Sequence, residues 1–251
     1  MLKYDLNKML FTIPADKHSE NEIREALKAH PEVKFISVVG IDVGGHDTDE
    51  KIPVEEFMQD IEGFLKGGVQ TDGSSVVLPK IADLNNGKVD IIPDRTVNWF
   101  VDHNFNYPDP DTGLPVGTLR IPSSIVHNDS DRVGSRVILR DAIFNFKQDL
   151  MELLEQYPHA FDYIDINGID DIKRIEITAA TELEFWVKTP DDDADREQLS
   201  TAQMLKEQYW KRTTGPVRTA LEEVLQVLQK YGFEVEMGHK EVGGVKAKLG
   251  N

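Results

Sequence analysis

The run Val33 to Asp42 (VKFISVVGID) constrains the fold more than any other stretch of this chain. Its β-branched and aromatic residues lose side-chain freedom in a helix and pack well on a pleated surface, so it reads as a buried strand. Such a strand needs other elements to cover it, and the flanking sequence supplies them. Ser19-Glu20-Asn21-Glu22 fits a capping box that opens a short helix through Ala29, and Pro31 stops it. Downstream, a loop at Gly44 and Gly45 leads to Pro53, which suits the first turn of a helix. Val54, Phe57, Met58, Ile61 and Leu65 then form one apolar face, ended by Gly67-Gly68.

From Val69 to about Phe100 the pattern changes to short strands, Ser75 to Leu78, Val89 to Ile92 and Val97 to Phe100, with Asn86-Gly87 as a hairpin signal. Asn106 to Gly117 (NYPDPDTGLPVG) concentrates Pro, Asp and Gly and reads as a linker. A boundary near Pro115 follows, dividing the chain into residues 1–115 and 116–251. Beyond it Thr118 to His127 reads as a strand. Ser135 caps a helix in which Leu139, Ala142, Ile143, Phe146, Leu150, Leu153 and Leu154 recur at helical spacing. Arg174 to Lys188 reads as a long strand, and Pro190 to Asp195 as an acidic loop. A last helix starts near Pro216 and carries a C-cap at Gly232, and Phe233 to Met237 forms one more strand. Glu241 to Asn251 shows neither a closing helix nor a paired strand, which suits an incomplete domain or a frayed tail. The fold class is α+β.

Composition bounds the function. With no cysteine, Asp, Glu and His are the metal ligands on offer, and hard oxygen-preferring ions such as magnesium or manganese are favoured. The 28 Lys and Arg against 45 Asp and Glu leave a net charge of −17, which repels nucleic acid and anionic membrane surfaces. No apolar stretch approaches the ~20 residues needed to cross a bilayer, and the amino terminus shows no secretory pattern, so a cytoplasmic protein is expected.

In Thr181-Glu182-Leu183-Glu184-Phe185 the two carboxylates are two apart on the expected strand and share one face. Two like charges held side by side repel unless solvated, protonated or bridged, and a divalent ion with oxygen ligands removes the conflict. A solvent-facing strand with two ordinary glutamates fits the same spacing. Glu234, Glu236 and Glu241 form a second carboxylate source after a helix that returns the chain beside the first strand. There Gly243-Gly244 either lets backbone approach a ligand or makes a plain turn. Thr71-Asp72-Gly73-Ser74-Ser75 presents a carboxylate and hydroxyls, although the same letters build an Asx turn. No phosphate-binding glycine loop and no G-x-S-x-G elbow occurs. His46, His127 and His239 read as structural or exposed.

Taken in order, Thr71-Asp72-Gly73-Ser74-Ser75, Pro93-Asp94-Arg95-Thr96, Ser135-Arg136-Val137-Ile138-Leu139, Glu182-Leu183-Glu184-Phe185, Glu234-Val235-Glu236 and His239-Lys240-Glu241-Val242 resemble glutamine synthetase. The resemblance covers about Phe35 to Val242. It implies a small β-grasp-like amino-terminal domain, then the first part of a catalytic domain whose curved antiparallel sheet holds two Mg2+ or Mn2+ ions. By the same resemblance Glu184 and Glu241 hold the first metal and Glu182 the second, and Glu236 lies near ATP. Asp72 serves an ammonium pocket contributed by a neighbouring subunit of a homo-oligomer. The implied chemistry is phosphorylation of the glutamate side-chain carboxylate by ATP, then displacement of phosphate by ammonia. The family runs past its H-x-E position through P-G-Q to another glutamate, whereas this chain reads Val242 to Leu249 with Lys246 and Lys248 there. The expectation is therefore an amino-terminal portion without activity of its own. The alternatives are a short homologue that binds or regulates a full-length enzyme, and a related γ-glutamyl-amine ligase.

Overall fold

The computed structural model describes residues 3–73, 88–127, 129–184, 212 and 215–239. It contains two compact units, Lys8–Thr178 and a second made of Met1–Asn7 with Ala179–Asn251. The larger unit is a mixed, mostly antiparallel sheet with helices, consistent with the expected α+β class.

The buried run becomes strand β2 (Val33–Val39), with Ile36 and Val38 fully enclosed. Six other strands surround or extend it: β1 (Thr12–Ile13), β3 (Glu50–Pro53), β4 (Val69–Asp72), β5 (Lys88–Pro93), β6 (Trp99–Pro108) and β7 (Pro115–His127). The order is β1-β6-β7-β2-β3, and β5 joins β4 to β7. β2 runs parallel to β7, and the other pairings are antiparallel.

β7 changes partners along its length. Gly117 to Pro122 pair with β2, Pro115 to Arg120 with β6, and Ser123 to His127 with β5. The Pro/Asp/Gly-rich stretch offered as a linker instead turns the chain from β6 into β7. Asp109 Oδ2 accepts from the Thr112 amide (3.2 Å) and hydroxyl (2.8 Å), the Asp109 amide donates to Leu114 O at 2.7 Å, and Gly113 has φ +69°. The boundary expected near Pro115 thus falls at the first residue of a strand interior to the sheet, and the compact unit continues to Thr178.

Helix α1 (Glu20–Ala29) starts as the capping box requires: Ser19 Oγ accepts from the Glu22 amide at 3.3 Å and donates to Glu22 Oε2 at 2.6 Å. Ile23 and Leu27 face the core. The single apolar face read over Val54 to Leu65 is delivered by two short helices, α2 (Val54–Gln59) and α3 (Ile61–Gly67). Asp60 breaks the run at φ −148°, and its Oδ1 caps α3 by accepting from the Gly63 amide at 2.9 Å. Val54, Phe57, Ile61 and Leu65 still bury in one cluster with Ile36, Trp99 and Leu119.

Helix α4 (Ser135–Gln156) begins after Gly134, so Ser135 is its first residue and not its cap. The Ser135 amide and hydroxyl both donate to Ile41 O at 3.0 Å. Of its 22 residues Val137 alone is buried, whereas Leu139, Phe144, Phe146 and Leu153 are more than half exposed.

In the second unit, helix α5 (Gly215–Lys230) ends in a Schellman arrangement. Gly232 sits at φ +80°, the Phe233 amide donates to Leu228 O and the Gly232 amide to Gln229 O. The strands expected at Arg174 to Lys188 and Phe233 to Met237 do not form among the described residues, 174–184 and 233–237 being irregular. The strand expected at Ser75 to Leu78 and the turn at Asn86-Gly87 lie outside the described residues.

Two outcomes test the packing. Gly68 has φ +64°, and a Cβ there would lie 2.2 Å from Ile91 O, so Gly68→Ala should cost at least about 2 kcal/mol in denaturant unfolding. His103 is buried on β6, and burial pushes its imidazole down to about 4 against the upward pull of Glu32 and Asp102. The folded state therefore binds this proton less readily than the unfolded chain. Its stabilising effect is complete above pH 6.5 and is lost as pH falls from 6.5 through 4, on the order of 2 to 3 kcal/mol. His103→Gln should flatten the stability profile across that window.

Candidate functional site

The carboxylates read from the sequence occupy three places. Asp72 ends β4 opposite Lys88 and is exposed, and the D-G-S-S loop is described only through Gly73. Glu182 and Glu184 are exposed in an irregular segment. Between them Leu183, which takes the other face of the expected strand, is 68 % exposed as well. With no strand paired to this segment among the described residues, the two-residue alternation does not separate an inner from an outer face there. Glu236 is exposed in the stretch that follows α5. Glu241 lies outside the described residues. Among the described residues no three His, Asp or Glu side chains form a group suited to a metal ion.

The structure instead concentrates polar contacts on the turn after β5. The Asp94 amide donates to Pro122 O at 2.8 Å, and the Asp94 carbonyl accepts from Trp99 Nε1 at 2.9 Å. Asp94 Oδ1 accepts from the Thr96 amide (2.8 Å) and hydroxyl (2.6 Å), an Asx turn that sets the carboxylate's direction. Arg95 reaches the opposite way. Its Nη2 donates to His18 O at 2.7 Å, and its own carbonyl lies 3.1 Å from His18 Nδ1. The His18 ring is buried and stacks on Trp99 with centroids 3.7 Å apart.

Asp94 Oδ2 receives Arg136 Nη2 at 2.7 Å from the first turn of α4. Burial pushes the Asp94 carboxyl up, but the Thr96 bonds and the Arg136 guanidinium outweigh it and hold it below the ordinary range. Around this pair lies a cleft of about 410 Å³, lined by Asp94, Ser124, Arg136, Val137, Leu139, Arg140 and Ile143. Arg136 and Arg140 are one helical turn apart and share a face of α4, with aliphatic side chains beside them. Such a surface can orient an anionic group and cover an apolar one. It holds no paired acid and base for proton transfer.

The sequence names Asp94 and Arg136 only as members of separate motifs. Their 42-residue separation carries no local signal of contact; the binding of Asp94 to Pro122 of β7 and the seating of Ser135 on Ile41 accompany their meeting in the fold. Compared with known proteins, the chain matches no family model and no curated protein.

A double-mutant cycle measures the pair. Asp94→Asn and Arg136→Met should each destabilise the fold by about 1–2 kcal/mol, with a coupling energy on the order of 1 kcal/mol because both partners are partly shielded. Additive single effects in chemical denaturation would show that the pair is only a surface contact.

Proposed function

We propose that this chain carries the amino-terminal portion of a glutamine synthetase-like, ATP-dependent ligase that joins ammonia to the side-chain carboxylate of glutamate. The observation that carries the reading is the Asp94–Arg136 ion pair. It joins the P-D-R-T and S-R-V-I-L motifs, two of the ordered pieces on which the resemblance rests. The β4–β5 pair supports it further, since the strand partnered with Asp72 runs directly into Pro93-Asp94. A β-grasp-like amino-terminal region is part of this proposal. The β2–β3 hairpin is followed by α2 and α3 packed in the core, and β7 returns parallel to β2.

In this reading Glu182, Glu184 and Glu241 contribute to two divalent-cation sites, Glu236 lies near the nucleotide, and Asp72 serves ammonium at the edge of a neighbouring subunit. The donors are carboxylate oxygens, which fit a hard ion such as Mg2+ or Mn2+. A bound divalent ion supplies charge that offsets the terminal phosphate of ATP. The chain's own tasks are to gather the carboxylates, which are solvated among the described residues, and to present Asp72 to an ammonium ion, whose positive charge a carboxylate stabilises.

A second reading, a non-catalytic homologue that binds or regulates a full-length enzyme, is favoured by α4. A helix that leaves Leu139, Phe144, Phe146 and Leu153 exposed suits association with another protein.

Manganese titration followed by electron paramagnetic resonance tests the metal assignment. Glu184→Ala and Glu241→Ala should each weaken Mn2+ binding about tenfold or more, as expected for loss of a carboxylate ligand. Unchanged affinity in both variants would overturn the metal role of Glu184 and Glu241 on which the ligase chemistry depends.

A further inference from the structure

The cleft beside the Asp94–Arg136 pair takes no part in the proposed ligase chemistry, and its composition is specific enough to name a ligand class. Its volume, about 410 Å³, falls toward the lower end of small-molecule sites, roughly 300–1,000 Å³. Its chemistry is divided. Arg136 and Arg140 from α4 and Ser124 from β7 supply its polar lining, and Leu139 and Ile143, three and seven residues beyond Arg136 on the same face of α4, supply aliphatic lining beside them.

The charges decide which anion fits. The Asp94 ion pair engages one amino group of Arg136, and a guanidinium carries further N–H donors in a planar fork suited to a carboxylate. Arg140 is 62 % exposed, and its contacts with Asp131 and Asp141, at 3.5 and 3.4 Å, are long and screened by water. Asp94 also lines the cleft, held below the usual carboxylate range and therefore ionised at neutral pH. A dianion such as a phosphate monoester would meet that negative charge with little surplus positive charge to offset it. A monoanion faces less repulsion, and burying a hydrocarbon against Leu139 and Ile143 adds favourable apolar contact.

We propose that this cleft binds a small aliphatic carboxylate, its carboxylate on the Arg136 fork and its hydrocarbon against Leu139 and Ile143. The inference rests on the cleft alone and is independent of the ligase reading, because its ligand requires neither metal nor nucleotide.

The test is nitrogen-15 NMR of the full chain, without metal, following α4 amides and arginine Nε–H groups with three probes. 3-Methylbutanoate supplies both features, 3-methylbutan-1-ol the hydrocarbon without charge, and inorganic phosphate the charge without hydrocarbon. Saturable shifts confined to the cleft are expected with 3-methylbutanoate, at least about fivefold tighter than with either other probe. Arg136→Lys keeps the charge facing Asp94 but loses the fork. Leu139→Asp alters a residue 61 % exposed, so the fold should survive even if the arginine variant unfolds. Each should weaken 3-methylbutanoate binding by at least about fivefold. Absence of saturable shifts, an equal response to phosphate or to the alcohol, or undiminished binding in the folded variants would overturn the assignment.

Discussion

Strand β7 is the constraint on which the larger unit depends. Thirteen residues long, it pairs with β2 and β6 through its first half and with β5 through its second. Leu119 and Ile121 are fully enclosed between the elements this pairing gathers. A parallel partner requires a long crossover, and the chain from β2 to β7 supplies it by way of the β3 hairpin, α2, α3, β4, β5 and β6. Gly117 fits this crowding: a Cβ there would come within 2.7 Å of Val101 and 3.3 Å of Val33, the neighbours on either side.

From that frame the turn at Asp94 to Thr96 distributes polar contacts in three directions. Its backbone binds Pro122 on β7 and the Trp99 indole, Arg95 holds the amino-terminal segment through His18, and the Asp94 side chain fixes the start of α4. The second anchor of α4 is Ser135 on Ile41. Beyond these two points the helix carries one buried residue in 22, Val137, and packs against the turns at Pro158–Tyr163 and Ile169–Asp171 that follow it.

Much of the fold was legible in local pattern. The capping box at Ser19, the buried run at Val33, the strands around Val89 and Thr118 and the Gly232 C-cap each depend on residues within a few positions of one another. The structure realises all five. The departures have separate causes. Asp60 split one expected helix because its side chain satisfies the Gly63 amide. The linker pattern at Asn106 to Gly117 proved to be a hairpin turn, since Pro, Asp and Gly are what either structure requires. Glu182-Leu183-Glu184 has the alternation of a half-buried strand, but alternation sorts side chains only where a neighbouring strand is present to be faced.

The sequence alone determined the residue chemistry, with no thiolate, a strongly acidic composition and oxygen donors in paired carboxylates, and it marked the starts of α1, α2, α5, β2 and β5 to within a residue. These are properties of single residues or of short windows, and hydrogen bonding and side-chain sterics set them locally. Tertiary structure decided what meets what. It placed Arg136 on Asp94 across 42 residues, enclosed His103, and left Leu139, Phe144, Phe146 and Leu153 of α4 more than half exposed. Such outcomes depend on how one long strand shares its partners, and no window of sequence contains all the strands that compete for it.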